Sequence, residues 1–321
     1  MSEPDVTVLV VTWRARDLLR RCLAALDAQT RPHRLLVVDN ASTDGTAALL
    51  AGHPHARVLR LSRNQGFAGG VAAGLAEVGT PWVALLNDDA EPAPGWLDAL
   101  LGAADPGAGV VAITSRLLLP SGAINNAGVV LRQDGYGADR GLAMPDGPPF
   151  DLPAEVFGFS GGAALLQMDA LRSAGGFPAR YFLYYEDTDT SWRLRLAGGR
   201  VGYAPGAVVR HAHSASADQA SVLFSFHNER NRLLTLTRCA PAGFALWQLA
   251  RFALTTGSLA TKRLLRRPLP PAPHFRVGVR LRVLGSYARL LPWALQTRRQ
   301  VGRRAAVSRA EVARRWLGSP G

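Results

Sequence analysis

The chain has 321 residues, of which 48% are apolar. That is enough to bury a large core, as one big domain with an appendage or as two domains, and it excludes a disordered or fibrous protein. Its two cysteines, Cys22 and Cys239, lie far apart and outside any metal-ligand spacing, which excludes a disulfide framework and a zinc site and leaves each as an ordinary helix residue. The formal net charge of +13 is unevenly placed: residues 221–321 carry 19 Lys and Arg against two acids, Glu229 and Glu311, whereas residues 1–220 carry 18 basic and 22 acidic residues. Charge alone does not say whether this basic tail faces anionic lipid, nucleic acid or water.

The opening Met1-Ser-Glu-Pro-Asp5 is acidic and runs straight into the strand-like Val6-Thr-Val-Leu-Val-Val-Thr12, unlike a signal peptide, so the expected location is cytoplasmic. Leu18, Leu19, Cys22, Leu23 and Leu26 then recur at helical spacing up to Gln29, and Leu35-Leu-Val-Val38 is a second apolar run that ends in Asp39. Capping side chains in Asn40-Ala-Ser-Thr-Asp-Gly-Thr46 precede a short helix over Ala47–Leu50, and Val58-Leu-Arg-Leu61 reads as a third strand. The glycines of Asn64-Gln-Gly-Phe-Ala-Gly-Gly70 allow close approach of backbone to a ligand and lead into a helix from Val71 to Val78. Taken alone, such a cluster is more often a turn than a phosphate loop.

Trp82-Val-Ala-Leu-Leu-Asn-Asp-Asp-Ala-Glu-Pro92 holds five apolar residues bounded by prolines, the pattern of a strand buried on both faces. It ends in Asn87, Asp88 and Asp89, where an open parallel sheet binds its ligands. Two adjacent acids there suit a hard divalent cation that holds a diphosphate, and they equally suit a solvated turn with helix-capping aspartates. A helix over Trp96–Leu101 and a strand over Gly109–Ile113 continue the alternation, which means a mostly parallel sheet covered on both faces. Right-handed crossovers bring the loops after Thr12, at Asp39, at Asn64–Gly70 and at Asn87–Asp89 to one edge, as in a single nucleotide-sized site. The first strand is followed by Trp13-Arg-Ala-Arg16, without a G-x-G-x-x-G, so a nicotinamide or flavin cofactor is not expected. The glycine-rich, Lys/Arg-bearing signature of a nucleotidyltransferase is missing from the same place.

These motifs, in this order, resemble the inverting family-two glycosyltransferases of the GT-A fold, most closely their rhamnosyltransferase-like and galactofuranosyltransferase-like branches. The resemblance rests on Val-Thr-Val-Leu-Val-Val-Thr-Trp, Val-Val-Asp-Asn-Ala-Ser-Thr-Asp-Gly-Thr, Asn-Gln-Gly-Phe-Ala-Gly-Gly and Leu-Leu-Asn-Asp-Asp. It resumes at Gly161-Gly162, Gly175-Gly-Phe177, the run from Phe182 to Arg193 and Pro205-Gly-Ala-Val-Val-Arg-His211, and so covers residues 5–216. It implies an α/β GT-A domain over 1–220, followed by a basic helical region over 221–321. Thr12, Asp39 and Asn64 would contact the base and ribose of a nucleotide-sugar, with Gly66 and Phe67 lining the same pocket. Asp89 would match the last Asp of the Asp-x-Asp metal motif. The first Asp of that motif is Asn87 here, which leaves Asp88 as a ribose contact or a weak metal neighbour. His211 matches a metal-binding histidine, with His213 the nearby competitor. The implied cofactor is Mg²⁺ or Mn²⁺, tilted toward Mn²⁺ by a histidine ligand.

Tyr184-Tyr-Glu-Asp-Thr-Asp189 crowds aromatic and acidic residues just ahead of the helix-spaced Trp192, Leu194 and Leu196. Several carboxylates therefore fall at a helix N-terminus, and any of them could serve as a base, a cap or an ion-pair partner. The resemblance gives the base role to Asp187 and the positioning of the acceptor to Glu186. Asp189 stands four residues before Arg193, the spacing of an ion pair or cap. The donor implied is dTDP-rhamnose, with UDP-sugars next and GDP-mannose behind. The acceptor would be a saccharide, lipid-linked at the inner face of the plasma membrane. A non-catalytic nucleotide-sugar or nucleic-acid binder on the same sheet is the alternative, and it would be expected to have lost Asp89, Asp187 or His211.

The segment from Leu119 to Pro153 is rich in Gly, Pro, Asp and Asn and reads as a flexible flap over the site. Beyond Ser216, long helical segments follow. Ala240–Ala260 is largely apolar but is interrupted by Gln248 and Arg251, which suits an interfacial or core helix better than a membrane span. Arg276, Arg280, Arg282, Arg289, Arg298, Arg299, Arg303 and Arg304 alternate with Val, Leu and Trp as in basic amphipathic helices. An anionic membrane surface is the expected partner, with solvated helix faces or an oligomer interface as alternatives. Nucleic acid is not expected, because no stacking motif or helix-turn-helix accompanies the charge.

Overall fold

The structure, a computed structural model, describes residues 3–212 and 221–318, so His213 and Ser216 lie outside the described residues. Strands β1 (Val6–Thr12), β2 (Arg34–Asp39), β3 (Ala56–Arg60) and β4 (Trp82–Asn87) are parallel and run side by side in the order β4-β1-β2-β3. Helices α1 (Arg16–Asp27), α2 (Thr46–Ala51) and α3 (Gly66–Leu75) are the crossovers. In β1 the side chains alternate by period two: Val6, Val8 and Val10 enter the core shared with α1 and α4 (Trp96–Gly102), and Leu9 and Val11 the core on the other face. Burial on both faces is why β1, β2 and β4 read as continuous apolar runs rather than as an alternation, whereas β3 at the edge is largely exposed.

Past β4 the sheet becomes mixed. Strand β11 (Ala163–Gln167) enters antiparallel between β4 and β6 (Val110–Leu118), and β12 (Arg200–His211) lies parallel to β6. The short β5 (Ala90–Pro92) pairs antiparallel with the end of β12, setting His211 opposite Ala90. That pairing carries a histidine more than a hundred residues away in sequence to the acidic end of β4.

Three expectations change in detail. Helix α3 begins at Gly66, not at Val71, so its glycines lie inside the helix: a Cβ at Gly70 would meet Val11 at 2.5 Å and one at Gly74 would meet Leu9 at 2.5 Å. The Leu119–Pro153 segment is not a flap without structure. It contains β7 (Ile124–Asn126), β8 (Val129–Leu131) and β9 (Gly137–Asp139), and Ile124, Ala127 and Phe150 join the core, anchors too widely spaced to show a period. The third change concerns the tail arginines. Helices α7 (Val222–Cys239), α8 (Ala242–Leu264), α9 (Val277–Arg304) and α10 (Arg309–Trp316) make up the C-terminal region, but Arg230, Arg232, Arg238 and Arg280 are buried and hold protein groups. Both cysteines are free, buried helix residues in α1 and α7, as expected.

The residue at the centre of this packing is Asp189, on α6 (Glu186–Leu196) and fully buried. It receives Arg193 Nε at 2.7 Å, Arg238 Nη1 at 2.5 Å and the Tyr181 hydroxyl at 3.0 Å. The expected i,i+4 pair with Arg193 is present, and α7 adds the second arginine. Burial alone would raise the Asp189 pKa, but Arg238 and Arg193 outweigh it and hold the carboxyl below its ordinary range. Its stabilising effect is therefore complete above the unfolded value of about 3.9 and is lost as pH falls through the lower folded value. Asp189→Asn leaves two buried guanidinium groups without their counter-ion and is expected to cost about 3–5 kcal/mol at neutral pH. Urea melts should show this gap at pH 7 and a narrowing gap under acid.

Candidate active site

Four of the residues expected at the site lie at the carboxyl edge of the parallel strands. Thr12 ends β1 and Asp39 ends β2, and both are buried. Asp39 Oδ1 accepts the Ser42 amide at 2.8 Å, and Arg60 Nε stands 3.6 Å from its Oδ2. The Thr12 hydroxyl oxygen is buried without a well-formed hydrogen bond among the described residues. Asn64 Oδ1 accepts the Gly66 amide at 2.7 Å, turning the chain into α3. Gly66 has φ +73°, and a Cβ there would stand 2.1 Å from the Phe182 carbonyl oxygen, so no other residue fits. Asn40, which sequence reasoning passed over, ties this loop to β2: its Nδ2 donates to the Gly66 carbonyl at 3.0 Å and its Oδ1 accepts the Gln65 amide at 2.8 Å. Phe67 is half-buried and faces Gly161, where a Cβ would meet its ring at 3.2 Å.

At the end of β4, Asp89 Oδ1 and His211 Nε2 are 2.9 Å apart, and Asn87 Nδ2 is 3.3 Å from the same ring nitrogen. His211 Nδ1 lies 2.8 Å from Asn125 Oδ1, so a proton on Nδ1 is donated to that oxygen. In that tautomer the Nε2 lone pair points toward the Asp89 carboxylate, and two acceptors at this distance repel unless a proton or a cation sits with them. The pair thus suits a hard cation with nitrogen tolerance. Among the described residues no third His, Cys, Asp or Glu completes a protein cage. Two protein donors with the remaining positions left to phosphate oxygens is how a cation shared with a nucleotide is bound. Asn125 belongs to the segment read from sequence as a flap, and nothing in its Asn-Asn-Ala-Gly context distinguishes it from a turn residue.

Asp88 is driven the other way from a metal ligand. Burial raises its pKa and the Asp89 charge adds to this, while the Thr12 hydroxyl and the Trp13 amide oppose them, leaving it at about 7. A cation at Asp89 would lower it again.

The Gly161-Gly162 pair links this end of the sheet to α6. The Asn87 amide donates to the Gly162 carbonyl at 2.9 Å, and the Gly161 amide donates to Asp187 Oδ2 at 3.1 Å. Asp187 Oδ1 also accepts the Thr188 amide at 2.6 Å. Burial raises the Asp187 pKa, with these amides partly offsetting it. Burial, reinforced by the Asp187 charge, raises that of Glu186 well above the ordinary carboxylate range, and its Oε2 is buried without a partner among the described residues. One acid thus meets donors that favour its charged form, while burial pushes its neighbour toward the neutral form.

The turn that presents them is strained. Phe182, Tyr184 and Tyr185 all have φ near +70° although none is glycine, at about 1–3 kcal/mol each. It is held from outside by α7. Asn231 Nδ2 reaches the carbonyls of Tyr181, Leu183 and Tyr184 at 3.1, 2.9 and 2.7 Å, and Arg230 Nη2 reaches that of Tyr181 at 2.6 Å. Sequence reasoning missed Asn231, since an Asn between two arginines carries no signal of a remote turn.

The sequence profile of glycosyl transferase family 2 matches residues 7–119. The chain is 33% identical over 249 residues to an N-acetylglucosaminyl-diphospho-decaprenol L-rhamnosyltransferase of Mycobacterium tuberculosis, covering 68% of this chain and 80% of the relative. Among solved structures it is similar to GalNAc-T7 with UDP, GalNAc and Mn²⁺, with a TM-score of 0.63 at 12% identity over 91% of this chain and 58% of the other. It is also similar to the mannosyltransferase PcManGT of Pyrobaculum calidifontis in complex with GDP-Man and Mn²⁺, with a TM-score of 0.52 at 19% identity over 97% and 88% of the two chains.

If Asn231 positions the turn rather than merely filling space, Asn231→Ala should cost about 1–3 kcal/mol of stability for the carbonyls it abandons. It should also lower turnover by about tenfold or more through misplacement of Asp187, while nucleotide affinity by calorimetry stays within a factor of two. Equal losses in turnover and nucleotide affinity would mark Asn231 as a general packing residue.

Proposed function

The chain belongs to glycosyl transferase family 2, and on that premise we propose that it is a metal-dependent inverting enzyme that moves rhamnose from dTDP-rhamnose to a hydroxyl of a lipid-linked saccharide in cell-envelope polysaccharide synthesis. A UDP-sugar is the next candidate donor. The observation that carries the reading is the pairing of Asp89 and His211 at 2.9 Å at the end of β4, beside a glycine pair whose amide binds Asp187. The rhamnosyl donor and lipid-linked acceptor are supported by the name of the Mycobacterium tuberculosis relative. A divalent cation, Mg²⁺ or Mn²⁺, is supported by the Mn²⁺ in both structural neighbours.

In this reading Thr12, Asp39 and Asn64 hold the base and ribose, Gly66 and Phe67 line the pocket, and Asn87 and Asp88 border the diphosphate. Asp89 and His211 would hold the cation, which neutralises charge growing on the departing nucleoside diphosphate. Asp187 takes the proton of the acceptor hydroxyl as that oxygen attacks the anomeric carbon from the face opposite the leaving group. Glu186, whose pKa burial pushes up, orients the acceptor. The reaction would run on the inner face of the plasma membrane, where the lipid-linked acceptor is presented.

Asp89→Ala is expected to abolish transfer and to remove the cation dependence of donor binding while circular dichroism stays unchanged. Full turnover in this variant together with indifference to EDTA would overturn the metal assignment.

Asp187→Asn keeps the size and most hydrogen bonds but accepts no proton, so the chemical step should fall by about 10² to 10⁴ with donor affinity nearly kept. Glu186→Gln should cost less, and the reverse order would exchange the two roles. Because burial raises the Asp187 pKa and the base must be ionised, activity should rise with pH along an acid limb that lies above an ordinary aspartate value of about 3.9. A pH–rate profile at saturating donor reads this limb directly.

A further inference from the structure

The residues of α8 divide into two faces. Ala245, Gln248, Phe252, Thr256 and Leu259 point inward and are buried. Arg280 of α9 fixes that side, lying 3.8 Å over the Phe252 ring and donating to Thr256 Oγ1 and the Phe252 carbonyl, both at 2.9 Å. The outward side carries Leu246, Trp247, Ala250, Leu254, Leu264 and Leu265, all exposed. Trp247 is 60% exposed, Leu254 70% and Leu264 83%. A helix face turned to water ordinarily carries charge. Here residues 242–261 hold a single charged side chain, Arg251, and the charge gathers at the far end in Lys262, Arg263, Arg266 and Arg267, all exposed.

We infer that the outward face of α8 is a docking surface for an anionic lipid bilayer, with the helix lying in the plane of the headgroups. No described helix is long and apolar enough to cross a membrane. A helix of 23 residues is about 34 Å long, and its apolar row would sink into the boundary between headgroups and acyl chains while the terminal cations meet lipid phosphate. Charge complementarity selects this occupant. No acid occurs between Glu229 and Glu311, so a second copy of the chain meeting this face with its own equivalent face would bring cations to cations. A nucleic-acid backbone would meet the four cations but leave Leu246, Trp247 and Leu254 without a partner. Helix α9 lacks the same division, because Arg282, Arg289 and Arg299 are distributed along its exposed side. This inference rests on the proposed function only for the reason a bilayer should be near, namely a lipid-linked acceptor.

The test uses the full chain and sedimentation with vesicles of phosphatidylcholine alone and of phosphatidylcholine with one-third phosphatidylglycerol. Wild-type protein should pellet with the anionic vesicles and release as salt rises. The exposed-face variant Leu246→Ser/Trp247→Ser/Leu254→Ser should lose binding by about tenfold or more. Lys262→Gln/Arg263→Gln/Arg266→Gln/Arg267→Gln should lose the preference for anionic vesicles and its salt dependence. Arg289→Gln/Arg299→Gln on α9 should bind like wild type. Because all substituted positions are exposed, unchanged circular dichroism and nucleotide affinity serve as the folding control. Wild-type protein that stays in solution, or an apolar-face variant that binds as well as wild type, overturns the inference. So does a wild-type dimer, seen by analytical ultracentrifugation, that the apolar-face variant breaks into monomers. Turnover measured without vesicles, on a water-soluble acceptor, keeps the two readings apart: its absence would count against the proposed reaction, with the vesicle result standing on its own.

Discussion

The site depends on a backbone that does not want the shape it has. Between Tyr181 and Glu186 three non-glycine residues adopt left-handed angles; the Asp189 amide of α6 holds the Tyr185 carbonyl and the Ala68 amide of α3 holds that of Phe182, and the other carbonyls look elsewhere for donors. The donors come from α7, where one carboxamide, Asn231, spans the carbonyls of Tyr181, Leu183 and Tyr184. A single planar group with two N–H bonds can serve three acceptors only if they converge, so its fit and the strain of the turn determine each other. The same helix supplies Arg238 to Asp189 one turn further along α6. Helix α6 of this glycosyltransferase is thus positioned by residues of α7, outside the parallel-strand part of the chain.

Electrostatics explain why two acidic clusters so close together behave differently. Asp189 meets two arginines and remains charged in a dry interior, which is a structural use of a carboxylate. Among the described residues, Asp187 meets backbone amides and the Thr188 hydroxyl, and Glu186 leaves an oxygen without a partner. Groups left incompletely satisfied in this way add nothing to stability and are the ones able to exchange a proton with a bound molecule. At the Asp89–His211 pair, Asn125 fixes the ring and sets its other nitrogen 2.9 Å from the Asp89 carboxylate.

Legibility in the sequence followed the length and regularity of each element. The parallel strands were plain because burial on both faces makes an apolar run, and the Asp39, Asn64 and Asn87–Asp89 loops followed from where such strands end. The family resemblance added the order of motifs and the pairing of Asp89 with a distant His211, which no local pattern contains. Sequence reading did not find β7, β8 and β9, whose three-residue lengths are too short for any period to show. It also took the arginines of the tail as surface charge. Arg238 and Arg280 look like Arg282 and Arg299 in composition, and only the fold decides that the first two face a buried carboxylate and a phenyl ring while the others face water.

That distinction changes how the positive charge of the tail is understood. The change in composition at residue 221 suggests an appendage added to a finished catalytic unit, but α7 begins there and carries the groups that satisfy Asp189 and the strained turn. Removing it would leave a buried carboxylate with one arginine instead of two and at least three carbonyls without donors, each worth about 1–3 kcal/mol, a loss comparable with the whole stability of an ordinary domain. The basic residues therefore form two populations. Those of α7 are part of the enzyme's interior, where Arg238 meets Asp189, Arg232 meets Glu229 and Arg230 holds the Tyr181 carbonyl. Those at the end of α8 meet no acid among the described residues, and this surplus, set beside an apolar face in water, is what calls for a partner of opposite charge.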